Sequence, residues 1–196
     1  MRHDALHVGS GDNPLDAQEA AMAVNGKVVG TTIVGIALLA GLKLFYLEHF
    51  YWYDITYEGT GTLPFTTVEG AQEDVTVVAL QHAEGASSPL KYRACFELPP
   101  ESMARLAEFA PAPNPAPTVA PRPFTCFDAE AIAEALERGS ATAVLGTTNT
   151  PYGIDRVVAV TDAGDAYAWH QINRCGERVF DGDPPPEGCP PPPQTE

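Results

Sequence analysis

One run of twenty residues, Val28–Leu47 (VVGTTIVGIALLAGLKLFYL), constrains this chain more than any other feature. Nineteen of the twenty are uncharged, the exception being Lys43. At ~1.5 Å rise per residue, a helix of this length matches the ~30 Å hydrocarbon core of a bilayer. A soluble helix this long would carry a polar face, and this one carries none. A cleaved signal peptide has a core of only ~7–15 apolar residues followed by a small-residue cleavage site, and here bulky aromatics follow instead. The reading is therefore an uncleaved transmembrane helix over residues 27–50, with the lipid bilayer as its first partner. Lys43 lies one turn from the end, so its ammonium reaches the interface. Phe45, Tyr46, Phe50, Tyr51, Trp52 and Tyr53 form an aromatic belt at headgroup level. Tyr51 and Trp52 at the exit are candidates for contact with a partner. Ala37 and Gly41 are a small-xxx-small pair, which suits close packing on a helix of a larger membrane complex.

Charge says little about which way the span points. Residues 1–26 hold Arg2 against Asp4, Asp12, Asp16 and Glu19, and only Lys27 flanks the span on that side. The cysteines decide it. All four follow the span, and structural disulfides require an oxidising compartment. Residues 1–26 are expected to be a disordered cytoplasmic tail, with the span in a bacterial inner membrane and the rest in the periplasm. Val24-Asn25-Gly26-Lys27 offers an alternative beginning for the chain.

The whole chain carries 11 Lys+Arg, 26 Asp+Glu and a net charge of −15. Such acidity repels phosphate backbones, so no nucleic-acid partner is expected. Residues 51–196 hold eight basic and 21 acidic residues, which suits a basic periplasmic protein as partner. Asp74–Gln81 is β-branched and reads as a strand, His82–Pro89 as a turn, and Leu90–Leu98 as an alternating, half-buried strand. Ser102–Phe109 reads as one or two helical turns, and Pro111–Pro123, with six prolines, as an extended connector. Asp128 is an N-cap for the helix AEAIAEALERG, which Gly139 ends. Ala141–Leu145, Ile154–Val160 and Ala166–Ile172 complete the strands, the last two joined as a hairpin by residues 161–165. The fold class is α+β: an antiparallel sheet of four or five strands with one packed helix over residues 51–174, then a proline-rich, disulfide-closed tail over 175–196.

Cys95 and Cys126 bracket the proline-rich connector, and Cys175 and Cys189 bracket a second proline-rich segment. Of the three possible pairings, 95–126 and 175–189 are favoured because each ties one such segment to the sheet. No C-x-x-C or closely spaced Cys/His pair is present, so zinc, haem c and thioredoxin-like chemistry lack their spacing. Phosphate-binding glycine loops, G-x-S-x-G and H-E-x-x-H are also missing. No catalytic residue, metal ligand or cofactor is assigned, and the chain is not expected to be an enzyme. Of the five histidines, His170, beside Trp169 in a strand, is the one a rigid scaffold would place. Trp169 and His170 are therefore candidates for partner binding. Arg93 and Arg156 lie on strands beside apolar residues and read as partly buried members of ion pairs, with an anion site as the alternative.

The blocks SSPLKYRACFELP, FTCFDAEAIAEALERGSA and YGIDRVVAVTDAGDAYAWHQIN, with NGKVVG at the start of the span, resemble a family of alphaproteobacterial single-pass membrane proteins described as a domain of unknown function. The resemblance covers roughly residues 25–174 and implies no catalytic residues. Residues 1–24 and the Cys175–Cys189 tail look like additions to that pattern.

These features point to a single-pass inner-membrane protein with a periplasmic interaction domain, an accessory or assembly subunit of a larger integral membrane complex. The alternative is a periplasmic ligand-binding or sensor module.

Overall fold

The computed structural model describes residues 25–51 and 53–193. The expectations for the N-terminal tail and for Trp52 thus fall on residues outside this description. The chain divides into two compact units, Met1–Phe45 and Tyr46–Glu196.

In the first unit, helix α1 (Gly26–Tyr46) starts where the Asn25 side chain accepts a hydrogen bond from the Lys27 amide at 3.1 Å. Its only described side-chain hydrogen bond runs from Thr31 Oγ1 to the Lys27 carbonyl, within the helix, at 2.8 Å. None of its side chains is buried. The helical stretch Gly26–Tyr51 is long and apolar enough to cross a membrane, a property signal sequences share.

The second unit opens with a π-helical turn, Leu47–Tyr51. It is fastened by Glu48 to Lys91 at 3.8 Å, while the Lys91 ammonium sits 5.2 Å from the Tyr53 ring centre. Seven strands follow among the described residues: β1 (Tyr53–Tyr57), β2 (Thr60–Thr66), β3 (Gln72–Gly85), β4 (Arg93–Glu97), β5 (Ala141–Leu145), β6 (Ile154–Thr161) and β7 (Asp165–Ile172). All described pairings are antiparallel, in the order β1-β3-β4-β7-β6-β5, with β2 also on β3. This is the expected α+β class with a larger sheet. The two additional strands are β1 and β2, and β3 continues through residues first read as a turn. His82 and Ala83 stay extended because β1 and β4 hydrogen-bond to them from both sides.

Strand β3 changes neighbour along its length: Gln72–Val78 pair with β2, and Gln81–Gly85 with β1. The changeover is a bulge at Ala79, whose φ of 53° is left-handed. There the Ala79 amide donates to Gly59 O at 2.6 Å, and the Glu58 amide to Leu80 O at 2.7 Å. Residues 109–112 then stitch β2 to β5. The Ala110 amide donates to Thr66 O, the Leu145 amide to Ala110 O, and the Ala112 amide to Ala143 O, at 2.8–3.0 Å. Pro111 lies in this short segment, at an isolated bridge to Val144. The sheet is thereby rolled, and both of its faces are buried. Leu63, Phe65, Val77, Phe96, Phe109 and Val158 belong to the core inside the roll. Cys95, Phe124, Phe127, Ile132, Val157 and Trp169 belong to a second core on the outer face.

Short helical turns at Pro100–Met103 (α2) and Leu106–Glu108 precede the proline-rich connector. Helix α3 (Ala129–Glu137) covers the outer face through Ile132. It begins as expected at Asp128, whose carboxylate accepts from the Glu130 and Ala131 amides at 3.1 and 3.2 Å. A further helix, α4 (Arg174–Phe180), occupies the start of the segment expected to be a proline-rich, disulfide-closed tail. Asn173 caps it, accepting from the Cys175 and Gly176 amides at 3.0 Å each. Gly176 presses against Gly153: a Cβ on Gly176 would lie 2.3 Å from the Gly153 oxygen. The disulfides are Cys95–Cys126 and Cys175–Cys189, with Cα separations of 6.3 and 5.8 Å.

Candidate functional site

A cleft of about 720 Å³ in the second unit opens at the end of the sheet where β6 begins and β7 finishes. That volume is within the range of sites for small organic ligands. Five separate stretches build it: Leu90, residues 113–118 of the connector, the loop at Thr148 and Asn149, the strand ends with Asp155 and residues 170–172, and α4 with the disulfide-closed tail.

Each stretch is held by identifiable bonds. Gln171 Oε1 accepts from the Ala116 amide at 3.1 Å and from Trp169 Nε1 at 3.2 Å, while its Nε2 donates to Pro113 O at 3.4 Å. One side chain thus pins the connector and satisfies the indole beneath it. Arg93 holds the other end of the connector. Its guanidinium donates to Thr118 O, Leu90 O and Tyr92 O at 2.5–2.8 Å, to Val119 O at 3.3 Å, and to the Thr118 hydroxyl. The tail is held by Tyr152, whose hydroxyl donates to Pro190 O at 2.9 Å, and by the Cys175–Cys189 bond.

At the floor, Asp155 is only 8% exposed. Its Oδ1 accepts from the Asn149 amide at 2.8 Å and from Asn173 Nδ2 at 2.7 Å. Asn149, with a left-handed φ of 52°, accepts on its own side-chain oxygen from the Gly153 amide at 2.6 Å. The same Asn173 that caps α4 therefore orients the carboxylate. His170 lies at the margin, 8% exposed. Its Nε2 accepts from Arg156 Nε at 3.1 Å, and its Nδ1 stands 2.7 Å from Pro89 O. The carbonyl can only accept, so Nδ1 bears the proton and the ring is neutral. Burial, then the Arg156 and Arg93 guanidiniums, lower its pKa to about 4, while the Pro89 carbonyl pulls the other way. The ring stacks on Tyr92 at 4.7 Å, and the Arg156 guanidinium lies 4.1 Å from the Tyr92 ring centre. Both His170 nitrogens are occupied, so the ring is a fixture of the site and no proton relay runs through it.

The cysteines pair as expected. Tyr51 is 62% exposed. Trp169 is 0% exposed and packs edge-on against Phe127 at 6.3 Å. This corrects its assignment as a partner contact, because its ring belongs to the outer core and reaches no surface. Arg93 and Arg156 form no ion pair among the described residues; carbonyl oxygens surround the first, and a tyrosine ring and an imidazole the second. Asp155, Asn149, Gln171 and Asn173 were not singled out from sequence. The available signal was a carboxylate inside the apolar strand IDRVVAV and an asparagine just after a strand end. Among the described residues, no group of three or more His, Cys, Asp or Glu side chains could hold a metal ion.

No curated protein and no solved structure matches the chain. A family model matches residues 63–190. That stretch starts after the apolar helix and contains all four cysteines and every residue lining the cleft. It runs past residue 174, so the Cys175–Cys189 segment is part of the shared pattern and not an addition to it. With most of its second unit inside that pattern, the chain belongs to the family of unknown function DUF6446.

Proposed function

We propose that this is a single-pass, membrane-anchored protein of the bacterial inner membrane, with its disulfide-bonded domain in the periplasm, serving as an accessory or assembly subunit of a larger integral membrane complex. The observation that carries this reading is the pairing of two features in one chain. An apolar helix with no buried side chain precedes, in the sequence, a domain tied by two disulfides. The helix suits lipid on every side, and the disulfides suit an oxidising compartment. Within the domain the stapled segments frame one cleft, which is a recognition feature. Purification of the full chain in mild detergent through a C-terminal tag tests the reading. A stoichiometric membrane partner is expected; recovery of the chain alone would overturn it.

The cleft also favours a second reading, a periplasmic ligand-binding or sensor module. A small molecule that raises the melting temperature of the detergent-solubilised full chain by several degrees, with no partner protein recovered, would select it.

A further inference from the structure

We propose that the cleft at the end of β6 and β7 binds a primary ammonium group carried on an apolar stem, with Asp155 as its counter-ion. The inference goes beyond the accessory role and does not depend on it.

The argument starts from the carboxylate. Asp155 is nine-tenths buried and makes no ion pair among the described residues. A buried charge normally has a charged partner. Here both described donors, the Asn149 amide and Asn173 Nδ2, are neutral, and both bind Oδ1. Oδ2 receives no hydrogen bond from a described residue. It is not sealed inside the protein either, since the only sealed, unpartnered side-chain oxygens among the described residues are those of Thr67 and Thr161. Asp155 lines the cleft, so Oδ2 is open to it.

The other charged groups of the cleft do not neutralise Asp155. Arg174 donates to Glu187 O at 3.1 Å and makes no ion pair among the described residues. Glu177 adds negative charge, and His170 is neutral. Leu90, Pro113, Ala116 and Pro190 supply apolar wall to the same cleft.

This chemistry selects the ligand class. A divalent cation wants several oxygen ligands, and one carboxylate oxygen beside apolar walls does not offer them. A guanidinium binds a carboxylate best through both oxygens, but Oδ1 already accepts two hydrogen bonds. A compact ammonium needs only Oδ2, and its alkyl stem can lie along the apolar wall. The excess of 21 acidic over eight basic side chains in residues 51–196 raises the local concentration of any such cation.

The test titrates the full chain in detergent micelles at low salt with four probes, followed by calorimetry. The probes are 1,5-diaminopentane, 1-pentanol, and the blocked tripeptides Gly-Lys-Gly and Gly-Arg-Gly. Asp155→Asn keeps the Oδ1 acceptor and replaces the charged Oδ2 acceptor with a neutral NH2 donor, so it should fold and weaken amine binding at least tenfold. Ala116→Phe fills the cleft without touching the charge and should also abolish binding. Glu69→Gln, in the turn between β2 and β3, should leave it unchanged. Binding of the diamine but not the lysine peptide identifies a free amine as the ligand. Binding of the lysine peptide above the arginine peptide identifies a lysine side chain of a partner. The proposal is overturned if no saturable amine binding occurs, if pentanol binds as well as the diamine, or if Glu69→Gln weakens binding as much as either cleft variant.

Discussion

His170 shows how a single side chain can tie the stability of this domain to pH. In the unfolded chain its imidazole titrates at the ordinary value of 6.5, and in the folded domain at about 4. Between these values the unfolded chain takes up a proton that the folded one refuses. The stability contributed by the neutral ring is therefore whole above pH 6.5, is lost as pH falls from 6.5 toward 4, and changes no further below that. Denaturant melts at pH 7, 5.5 and 4 should show the wild type losing about 2–3 kcal/mol relative to His170→Gln over that interval. Arg93 makes a different residue-scale case. Its guanidinium serves oxygens on three sides at once, which a lysine ammonium cannot reproduce. Arg93→Lys should cost about 2–4 kcal/mol in chemical denaturation. It should also expose the connector at residues 113–119 to limited proteolysis.

Among the elements, α4 depends on a contact that no local pattern announces. Gly176 and Gly153 meet backbone to backbone, and a methyl on Gly176 would lie 2.9 Å from both the Gly153 carbonyl carbon and its Cα. No flexible side chain is there to yield. Gly176→Ala should therefore push α4 from the sheet, destabilise the domain by about 2–4 kcal/mol, and speed amide exchange at residues 173–180. Elements that carry their own signal were legible in the sequence: α3 through its Asp128 cap, and the β6–β7 hairpin through its flanking apolar runs. Strands β1 and β2 were not, because Gly59, Gly61 and Pro64 interrupt their pattern and their burial comes from pairing with β3. The Pro-rich connector was recognised as extended chain, but nothing local shows that Gln171 and Arg93 bind it. The cleft was illegible for the same reason. Its floor and walls come from five stretches that meet only when the sheet is rolled, and an aspartate in an apolar strand and an asparagine just past a strand end were its traces in the sequence.

For the molecule as a whole, the distribution of charge makes salt act in two opposite directions. Residues 51–196 carry 21 acidic side chains against eight basic ones. Of the basic side chains, Lys91, Arg105, Arg138 and Arg178 form the ion pairs described, each to a partly or fully exposed carboxylate. Pairs of this kind contribute little, about 0–1 kcal/mol each, so they do not offset the repulsion among the remaining carboxylates. The folded domain brings these charges closer together than the unfolded chain does. Raising NaCl from about 0.02 to 0.5 M shortens the screening length from roughly 20 to 4 Å. Repulsion is then weakened more than the short-range ion pairs are, and the melting temperature at neutral pH should rise by a few degrees. Capture of a cation by the same acidic domain depends on attraction across the screened distance, so diamine affinity should fall over that salt series. A melting temperature that drops with salt would mean that the exposed ion pairs outweigh the net repulsion, against the ratio of charges in the chain. Measuring both quantities on one preparation separates the field of the whole domain from the contacts of the cleft. The Asp155→Asn chain should keep the salt dependence of its melting temperature, and its weaker residual amine binding should still fall with salt, because the field of the other carboxylates remains.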